Sequence, residues 1–323
     1  MRKKCLKRRR FVVAQQVLNR RVHAAALKVA QDMQGKIILI TGANSGIGKE
    51  TTRALAKKGA VIVMACRNLN KANPVCEAIK QESGNEKIEL MQIDLASLSS
   101  TREFINQFYQ KYHQLNVLIN NAGVMCAERE ETAERFNRVM ATNYLGPFLL
   151  TNLLLPLLKQ TPGSRIINVS SVAHMWGHID LNDLNLKKRF SFTGTYAPSK
   201  LALVFFTQEL AERLRDTNIT INALHPGIVA TNLYRIGPEG KWYQSLFSRI
   251  VRCVMISPEE GAETSIYLAS SDLVRGVTGK YFYKLHPVWV SPRCRDKKLQ
   301  KSLWQLSARL TGLSNDNLPM KSA

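Results

Sequence analysis

Tyr196 and Lys200 stand four positions apart, and on a helix that spacing projects both side chains from one face. A phenol with an unperturbed pKa of about 10 is a poor base near neutrality, whereas a neighbouring ammonium favours its phenolate and brings it toward the working range. Taken alone the pair is weak, because surface helices carry it by chance. A second group adds to it. Thr41-Gly42-Ala43-Asn44-Ser45-Gly46-Ile47-Gly48 lies between a run of β-branched residues and a good helix-forming stretch. A diphosphate reaches backbone N–H groups at a helix N-terminus only where side chains are absent, and Gly42, Gly46 and Gly48 supply that room. A glycine turn serving strand-to-helix geometry alone is the alternative.

The ends of the following strands carry the next candidates. An acidic residue at the end of the second strand would hold the 2′-hydroxyl of NAD, and an arginine there suits the 2′-phosphate of NADP. The segment ends Ala65-Cys66-Arg67, with no carboxylate, so NADP is favoured over NAD. Arg67 as a solvated loop charge is the competing reading. Asp94, followed by Leu95, could accept a hydrogen bond from an adenine amine or cap the helix beginning near Ser99. Asn121-Ala122-Gly123 supplies small residues where backbone must pass close to a cofactor ribose.

The elements that position these groups alternate between strand and helix. Strands are predicted at Lys36–Thr41, Val61–Ala65, Ile88–Ile93, Val117–Asn120, Arg165–Val169 and Thr220–Leu224. Helices are predicted at Gly46–Lys58, Lys71–Glu82, Ser99–Tyr112, Glu131–Lys159 and Tyr196–Arg215. Gly59, Ser83-Gly84-Asn85 and Thr161-Pro162-Gly163 punctuate them. The pattern predicts an α/β fold with a single Rossmann-type doubly wound parallel sheet, helices on both faces, and ligands at its carboxyl edge. After Leu224 an apolar helical spacing runs from Trp242 to Val254, read either as a substrate lid or as core packing. A last helix near Asp296–Leu310 puts Leu299, Leu303, Leu306 and Leu310 on one stripe.

The order of these motifs, with a lone Asn143, Asn168-Val169-Ser170-Ser171, Tyr196-Ala197-Pro198-Ser199-Lys200 and Pro226-Gly227, resembles the short-chain dehydrogenase/reductase family over about Gly35 to Lys284. The phrases starting at Asn143, Ser199 and His225 look most like its retinol dehydrogenase and polyprenol dehydrogenase branch. The resemblance implies that Tyr196 is the general acid or base and that Lys200 lowers its pKa and holds the nicotinamide ribose. It implies that Ser171 hydrogen-bonds the substrate oxygen and that Asn143 holds a water in the proton path. It adds Ile228 to Pro226 and Gly227 among the cofactor contacts. Ser171 is preferred to Ser170 because strand alternation sends the two to opposite faces, and the family's serine precedes a Val-Ala-like pair. Residues His174–Phe192 are expected to loop over the site. With a complete Tyr/Lys/Ser/Asn set, His174, His178 and His225 need no catalytic role. The implied activity is hydride transfer between NADP(H) and an apolar aldehyde or ketone of retinoid, polyprenoid or long-chain type. A steroid or fatty-acyl carbonyl reductase with the same machinery, or a nucleotide sensor without turnover, are the alternatives.

Composition bounds the rest. The 323 residues, with 45% hydrophobic and 22% charged content, suit one folded core. The six cysteines show no metal-ligand or disulfide spacing and read as reduced thiols. The net charge of +22 includes ten basic and no acidic residues between Met1 and Gln31, where Phe11, Ala14, Leu18, Val22, Ala25 and Val29 recur at helical spacing. Residues 1–34 therefore read as an organelle presequence, a membrane-surface anchor or a solvated basic tail. Residues 35–285 read as the dinucleotide-binding domain and 286–323 as a C-terminal helix and tail. The expected partners are an apolar small molecule and a membrane surface, with a homodimer left open and no nucleic acid. Membrane association at the endoplasmic reticulum or mitochondrion is favoured over free cytosol. Gly146–Leu158, interrupted by Thr151, Asn152 and Pro156, reads as a core helix rather than a membrane span.

Overall fold

A computed structural model describes residues 32–126, 128–187, 192–229 and 255–313. The basic segment up to Gln31 and the Trp242–Val254 stretch lie outside the described residues. Seven α-helices, three short 3-10 helices and eight strands are described. In chain order they are β1 (Ile37–Thr41), α1 (Gly46–Ala56), β2 (Val61–Cys66), α2 (Leu69–Ser83), β3 (Ile88–Gln92), α3 (Leu98–Lys111), β4 (Val117–Asn120) and α4 (Arg138–Gln160). Then follow β5 (Arg165–Val169), α5 (Phe192–Arg213), β6 (Thr220–Leu224), α6 (Pro258–Ser270), β7 (Tyr281–Tyr283), β8 (His286–Pro287) and α7 (Lys297–Leu310).

One sheet runs β3-β2-β1-β4-β5-β6-β7-β8, with every pairing parallel except the last. The expected fold class is therefore the observed one, extended by two short strands at one edge. Alternation along β1 sends Leu39 to one face and Ile38 and Ile40 to the other, and two apolar clusters result. The first joins the sheet to α3, α4 and α5 through Phe104, Phe108, Phe148 and Phe206. The second joins it to α1, α2 and α6 through Leu55, Ile79 and Ala262. The chain leaves β3 at the edge and returns to lay β4 beside β1, so the strand order reverses between those two strands. At such a reversal the connections leave to opposite faces and open a crevice at the strands' carboxyl ends.

Three expectations need correction. The helix predicted from Glu131 begins at Arg138, because Asn137 Oδ1 accepts the N–H groups of Val139 and Met140 at 3.0 and 3.2 Å and so caps the helix there. Glu131 instead bridges to Asn137 across a turn in which Arg135 takes φ 61°. The stripe on α7 is centred on Gln300, Leu303, Trp304, Ser307 and Ala308, leaving Leu299, Leu306 and Leu310 half-buried at its edges. Trp304 sets that centre by packing 4.9 Å from Phe148 and 5.7 Å from Phe206, with the Arg213 guanidinium over its ring. Finally, no described residue of the loop beginning at His174 lines the cleft. The loop turns Ile179, Leu184 and Leu186 into the first apolar cluster, and Asn185 donates to the Arg135 carbonyl at 3.0 Å.

The Arg138–Gln160 helix is long and apolar enough to cross a membrane by composition, yet 83% of its most apolar window is buried inside the fold. It is a core helix, as its Thr151, Asn152 and Pro156 suggested. Within it, Ala141–Leu145 forms a π turn, a local widening that recurs at functional sites.

Candidate active site

The crevice is a cleft of about 410 Å³ at the reversal of strand order. Thr41, Gly42, Ser45, Gly46, Ile47 and Gly48 form its floor, and Arg67, Asp94 and Leu95 extend it past β2 and β3. Asn121, Ala122, Gly123, Tyr196, Lys200 and Pro226 complete the walls. Four expected residues lie behind or beside these walls: Asn143, Ser171, Gly227 and Ile228.

Sequence and packing explain the floor. Thr41 is fully buried, and its hydroxyl accepts the N–H groups of Asn121 and Ala122 at 3.0 and 3.1 Å. Asn121 Nδ2 returns the tie to the carbonyls of Thr41 and Gly42 at 2.8 and 3.2 Å. The glycine turn and the loop after β4 are thereby locked together. Gly42 takes φ 65°, a left-handed conformation that favours glycine. A side chain at Gly48 would place its Cβ 2.3 Å from the Gly42 carbonyl oxygen, so α1 can approach the turn only without one. The first turn of α1 carries no acidic residue, and the Ser45 side chain makes no capping bond, which leaves the helix's N-terminal donors open to an anion.

Asp94 is not the cap of α3. Ser97 caps it, accepting Ser100 N–H at 3.2 Å, while Asp94 Oδ1 accepts Ala96 N–H at 2.9 Å in a local turn. Arg67 is exposed beyond the end of β2 and makes no ion pair among the described residues. Cys66, Cys76, Cys126 and Cys294 are buried free thiols, and burial pushes the Cys66 thiol up to about 11.

α5 carries Tyr196 and Lys200 into the same cleft. Tyr196 is buried against Met125, Cys126 and Val139. The Lys200 ammonium lies 5.5 Å from the centre of the Tyr196 ring and donates to the Val169 carbonyl at 2.9 Å. Burial lowers its pKa to about 8, since the charged form loses water. Gly123 lets the loop pass beside that ammonium, because a Cβ there would sit 3.2 Å from Nζ.

Asn143, in the π turn, uses its whole side chain for structure. Its Oδ1 accepts Val124 N–H at 2.8 Å, and its Nδ2 donates to the Val124 carbonyl and to Ser199 Oγ, each at 3.0 Å. Ser199 donates in turn to the Tyr196 carbonyl at 2.7 Å. These bonds tie the loop after β4 to the helical turn that presents the phenol. Ser170 and Ser171 divide their work as strand alternation requires. Ser170 is buried and donates to the Lys200 carbonyl at 2.9 Å. Ser171 Oγ accepts Ala173 N–H at 3.2 Å, and its hydroxyl hydrogen has no partner among the described residues. It is Ser170 that borders the cleft. Gly227 takes φ 96°, and Ile228 is 38% exposed at the rim.

The sequence reading passed over Ala65, Ile93, Thr142 and Val169, which also line the cleft. Ala65 and Val169 lie at or beside strand carboxyl ends, and Thr142 precedes Asn143, so position alone could have found them. Ser199 sits inside the Tyr196–Lys200 phrase and was passed over because its partner, Asn143, is 56 residues away.

Residues 36–237 match the family described as short chain dehydrogenase. The chain is 43% identical over 282 residues to retinol dehydrogenase 13 of Homo sapiens, covering 86% of this chain and 85% of that one. It is 41% identical over 294 residues to retinol dehydrogenase 14 of Homo sapiens, covering 87% and 88%. A crystal structure of an uncharacterised protein from Mycobacterium paratuberculosis superposes with a TM-score of 0.71 at 34% identity, covering 88% of this chain and 96% of that one. With the fold, the cleft and these likenesses in agreement, the chain belongs to the short-chain dehydrogenase family, in its retinol dehydrogenase-like branch, as an oxidoreductase of CH–OH groups.

Proposed function

We propose that this oxidoreductase interconverts an apolar aldehyde or ketone and its alcohol with NADP(H), Tyr196 giving and taking the proton. The observation that carries the reading is the convergence of Tyr196, Lys200 and the Gly42–Gly48 turn on one cleft. The residues present suit a dinucleotide. The lack of room for a Cβ at Gly48 and the uncapped α1 N-terminus fit a diphosphate against backbone N–H groups. Asp94 and Leu95 would flank the adenine, and Asn121, Ala122, Gly123 and Lys200 the nicotinamide ribose, with Pro226, Gly227 and Ile228 at the far end. The exposed Arg67, following a strand end without a carboxylate, would hold a 2′-phosphate, which favours NADP over NAD. When bound, the cofactor supplies the hydride that moves to or from the carbonyl carbon.

The chain's own groups handle the proton and the charge. During reduction the Tyr196 hydroxyl gives its proton to the oxygen as negative charge builds there, and during oxidation the phenolate takes it back. Lys200, its pKa lowered by burial to about 8, is still mostly an ammonium at neutrality, and 5.5 Å from the centre of the Tyr196 ring it favours that phenolate. Ser171 is the second donor to the oxygen, because Ser170 is spent on the Lys200 carbonyl while the Ser171 hydrogen remains available. Asn143 holds the frame through Val124 and Ser199, and a water in the proton path would sit beside its π turn.

The wall of Met125, Cys126 and Val139 around Tyr196 supports an apolar substrate, and the names of the relatives point to a retinoid. A membrane-binding surface follows for so insoluble a ligand. Trp176 and Trp289, 73% and 87% exposed, and the basic run Arg293, Arg295, Lys297 and Lys298 support it. The test is NADPH consumption with all-trans-retinal. Tyr196→Phe should lower kcat by about 10² to 10⁴ while NADPH binding, followed by fluorescence, is retained. Turnover that survives the substitution overturns the mechanism, and a wild-type enzyme inert toward retinal, polyprenal and long-chain aldehydes overturns the substrate class.

A further inference from the structure

Ser171 is held by an arrangement that the mechanism above does not explain. Its carbonyl oxygen accepts three donors: His174 N–H at 3.0 Å, His174 Nδ1 at 2.8 Å and the Tyr281 hydroxyl at 3.1 Å. A carbonyl has two lone pairs, so this one is more than fully occupied. One of the donors comes from β7, 110 residues further along the chain. The His174 ring is itself fixed from three sides. It is 1% exposed, packs 4.5 Å from the Tyr281 ring, and its Nε2 accepts Ser291 N–H at 3.3 Å. An acceptor at Nε2 leaves the ring proton on Nδ1, where it meets the Ser171 carbonyl. Neutrality suits both bonds, and burial holds the imidazole below the usual histidine pKa.

We propose that His174 is a positioning residue for Ser171, clamping its peptide between the short helix Val172–Trp176 and the segment after β8 so that the serine hydroxyl keeps one direction. The inference rests on the reading of Ser171 as the donor to the substrate oxygen. It gives His174 a role that its absence from the cleft wall conceals. A hydroxyl that must meet developing charge is useful only within a few tenths of an ångström and a narrow angle, and Ser171's own side chain has a single local bond, to Ala173 N–H. Fixing the backbone on both sides of its Cα is the means left to aim it. Ser170 contributes from the other side, since its N–H donates to Leu224 at 2.7 Å. Tyr281 and Ser291 extend the clamp to residues far along the chain. The edge strand and the C-terminal segment are thus parts of the apparatus that aims the serine.

The test compares His174→Asn with His174→Phe in the full-length enzyme, using NADPH and all-trans-retinal. Asparagine carries an N–H donor where imidazole carries Nδ1, whereas phenylalanine keeps the ring volume and removes both polar atoms. His174→Phe should lower kcat by about ten- to a hundredfold, with the KM for NADPH unchanged, and His174→Asn should restore most of the loss. In a Ser171→Ala background, His174→Phe should cost nothing further, because the residue acts only through the serine. Thermal melts of all variants show whether each is folded. Equal kcat in wild type and His174→Phe overturns the proposal. So does an undiminished further loss in the Ser171→Ala background, or a folded His174→Asn no better than His174→Phe. Should Ser171→Ala itself keep full kcat, the role of Ser171 fails first, and that result is distinct from the others.

Discussion

Lys200 Nζ donates to the carbonyl of Val169 at 2.9 Å, in a position where the ammonium has lost its water. Burial depresses its folded pKa to about 8, against an unfolded value of about 10.4. The unfolded chain therefore binds more protons between those values, and stability rises with pH across that window. Below pH 8 the cost of burying the charge is present in full. Lys200→Met should accordingly abolish turnover and yet stabilise the fold at pH 7, by about 1–3 kcal/mol, and the gain should shrink as pH approaches 10. Thermal melts across that range check it; a Lys200→Met variant less stable than wild type at pH 7 would show that the bond to Val169 outweighs the desolvation.

Gly48 fits because nothing extends from its Cα toward the Gly42 carbonyl. The Cβ of Gly48→Ala would lie 2.3 Å from that oxygen and 2.5 Å from Asn121 Nδ2. Relief requires α1 to move away from the turn or Asn121 to release it. We expect a loss of about 1–3 kcal/mol in stability and at least tenfold weaker NADPH binding. Denaturant melts and fluorescence titration measure the two, and NADPH affinity equal to wild type would separate the turn's geometry from cofactor binding.

Much of this arrangement could be read from the residues. The runs Val117–Asn120, Arg165–Val169 and Thr220–Leu224 were placed to the residue, because β-branched and buried positions end abruptly at turn-formers. The start of α4 was not, since Glu131, Ala133, Glu134 and Arg135 favour helix locally while the Asn137 cap and the pairing to Asn185 decide otherwise. α6 is absent from the predicted elements, although Ser257-Pro258-Glu259-Glu260 carries a capping pattern in which Ser257 Oγ accepts Glu260 N–H at 3.2 Å. β7 and β8 are too short for any period to register. Within the site, strand ends and helix spacing supplied Thr41, Asn121, Tyr196 and Lys200. The Asn143 to Ser199 bond and the His174 contacts with Tyr281 and Ser291 join positions 56 to 117 apart, which no local pattern encodes.

Among the described residues, Arg67 is the only basic one lining the cleft at the end of β2, and no carboxylate lies at that strand end. Arg67→Asp would replace a donor to the 2′-phosphate with a repelling charge and supply an acceptor for a 2′-hydroxyl. The Kd for NADPH should rise about ten- to a hundredfold, and that for NADH should fall or stay. Equal weakening of both cofactors would assign Arg67 to the turn's structure and remove the argument for NADP.

Trp176 ends the short helix Val172–Trp176 and Trp289 follows β8, and the Arg293 guanidinium, a few residues beyond Trp289, donates to the Met175 carbonyl at 3.5 Å. Val172, Met175 and Val288 are exposed on the same two segments, and Arg293, Arg295, Lys297 and Lys298, close after Trp289 in the chain, are exposed cations. Indole rings prefer the headgroup boundary of a bilayer, where the ring leaves water while its N–H stays bonded. Each basic residue adds roughly 1 kcal/mol near an anionic surface, an amount that salt screens. The full-length protein should therefore sediment with vesicles containing phosphatidylserine more than with phosphatidylcholine alone, and less so as salt rises. Trp176→Glu combined with Trp289→Glu should lower the bound fraction about tenfold without lowering NADPH affinity, because neither indole touches the cleft. If the double variant binds as wild type does, the attachment belongs to another surface, and the basic segment preceding Asp32 is the next to delete.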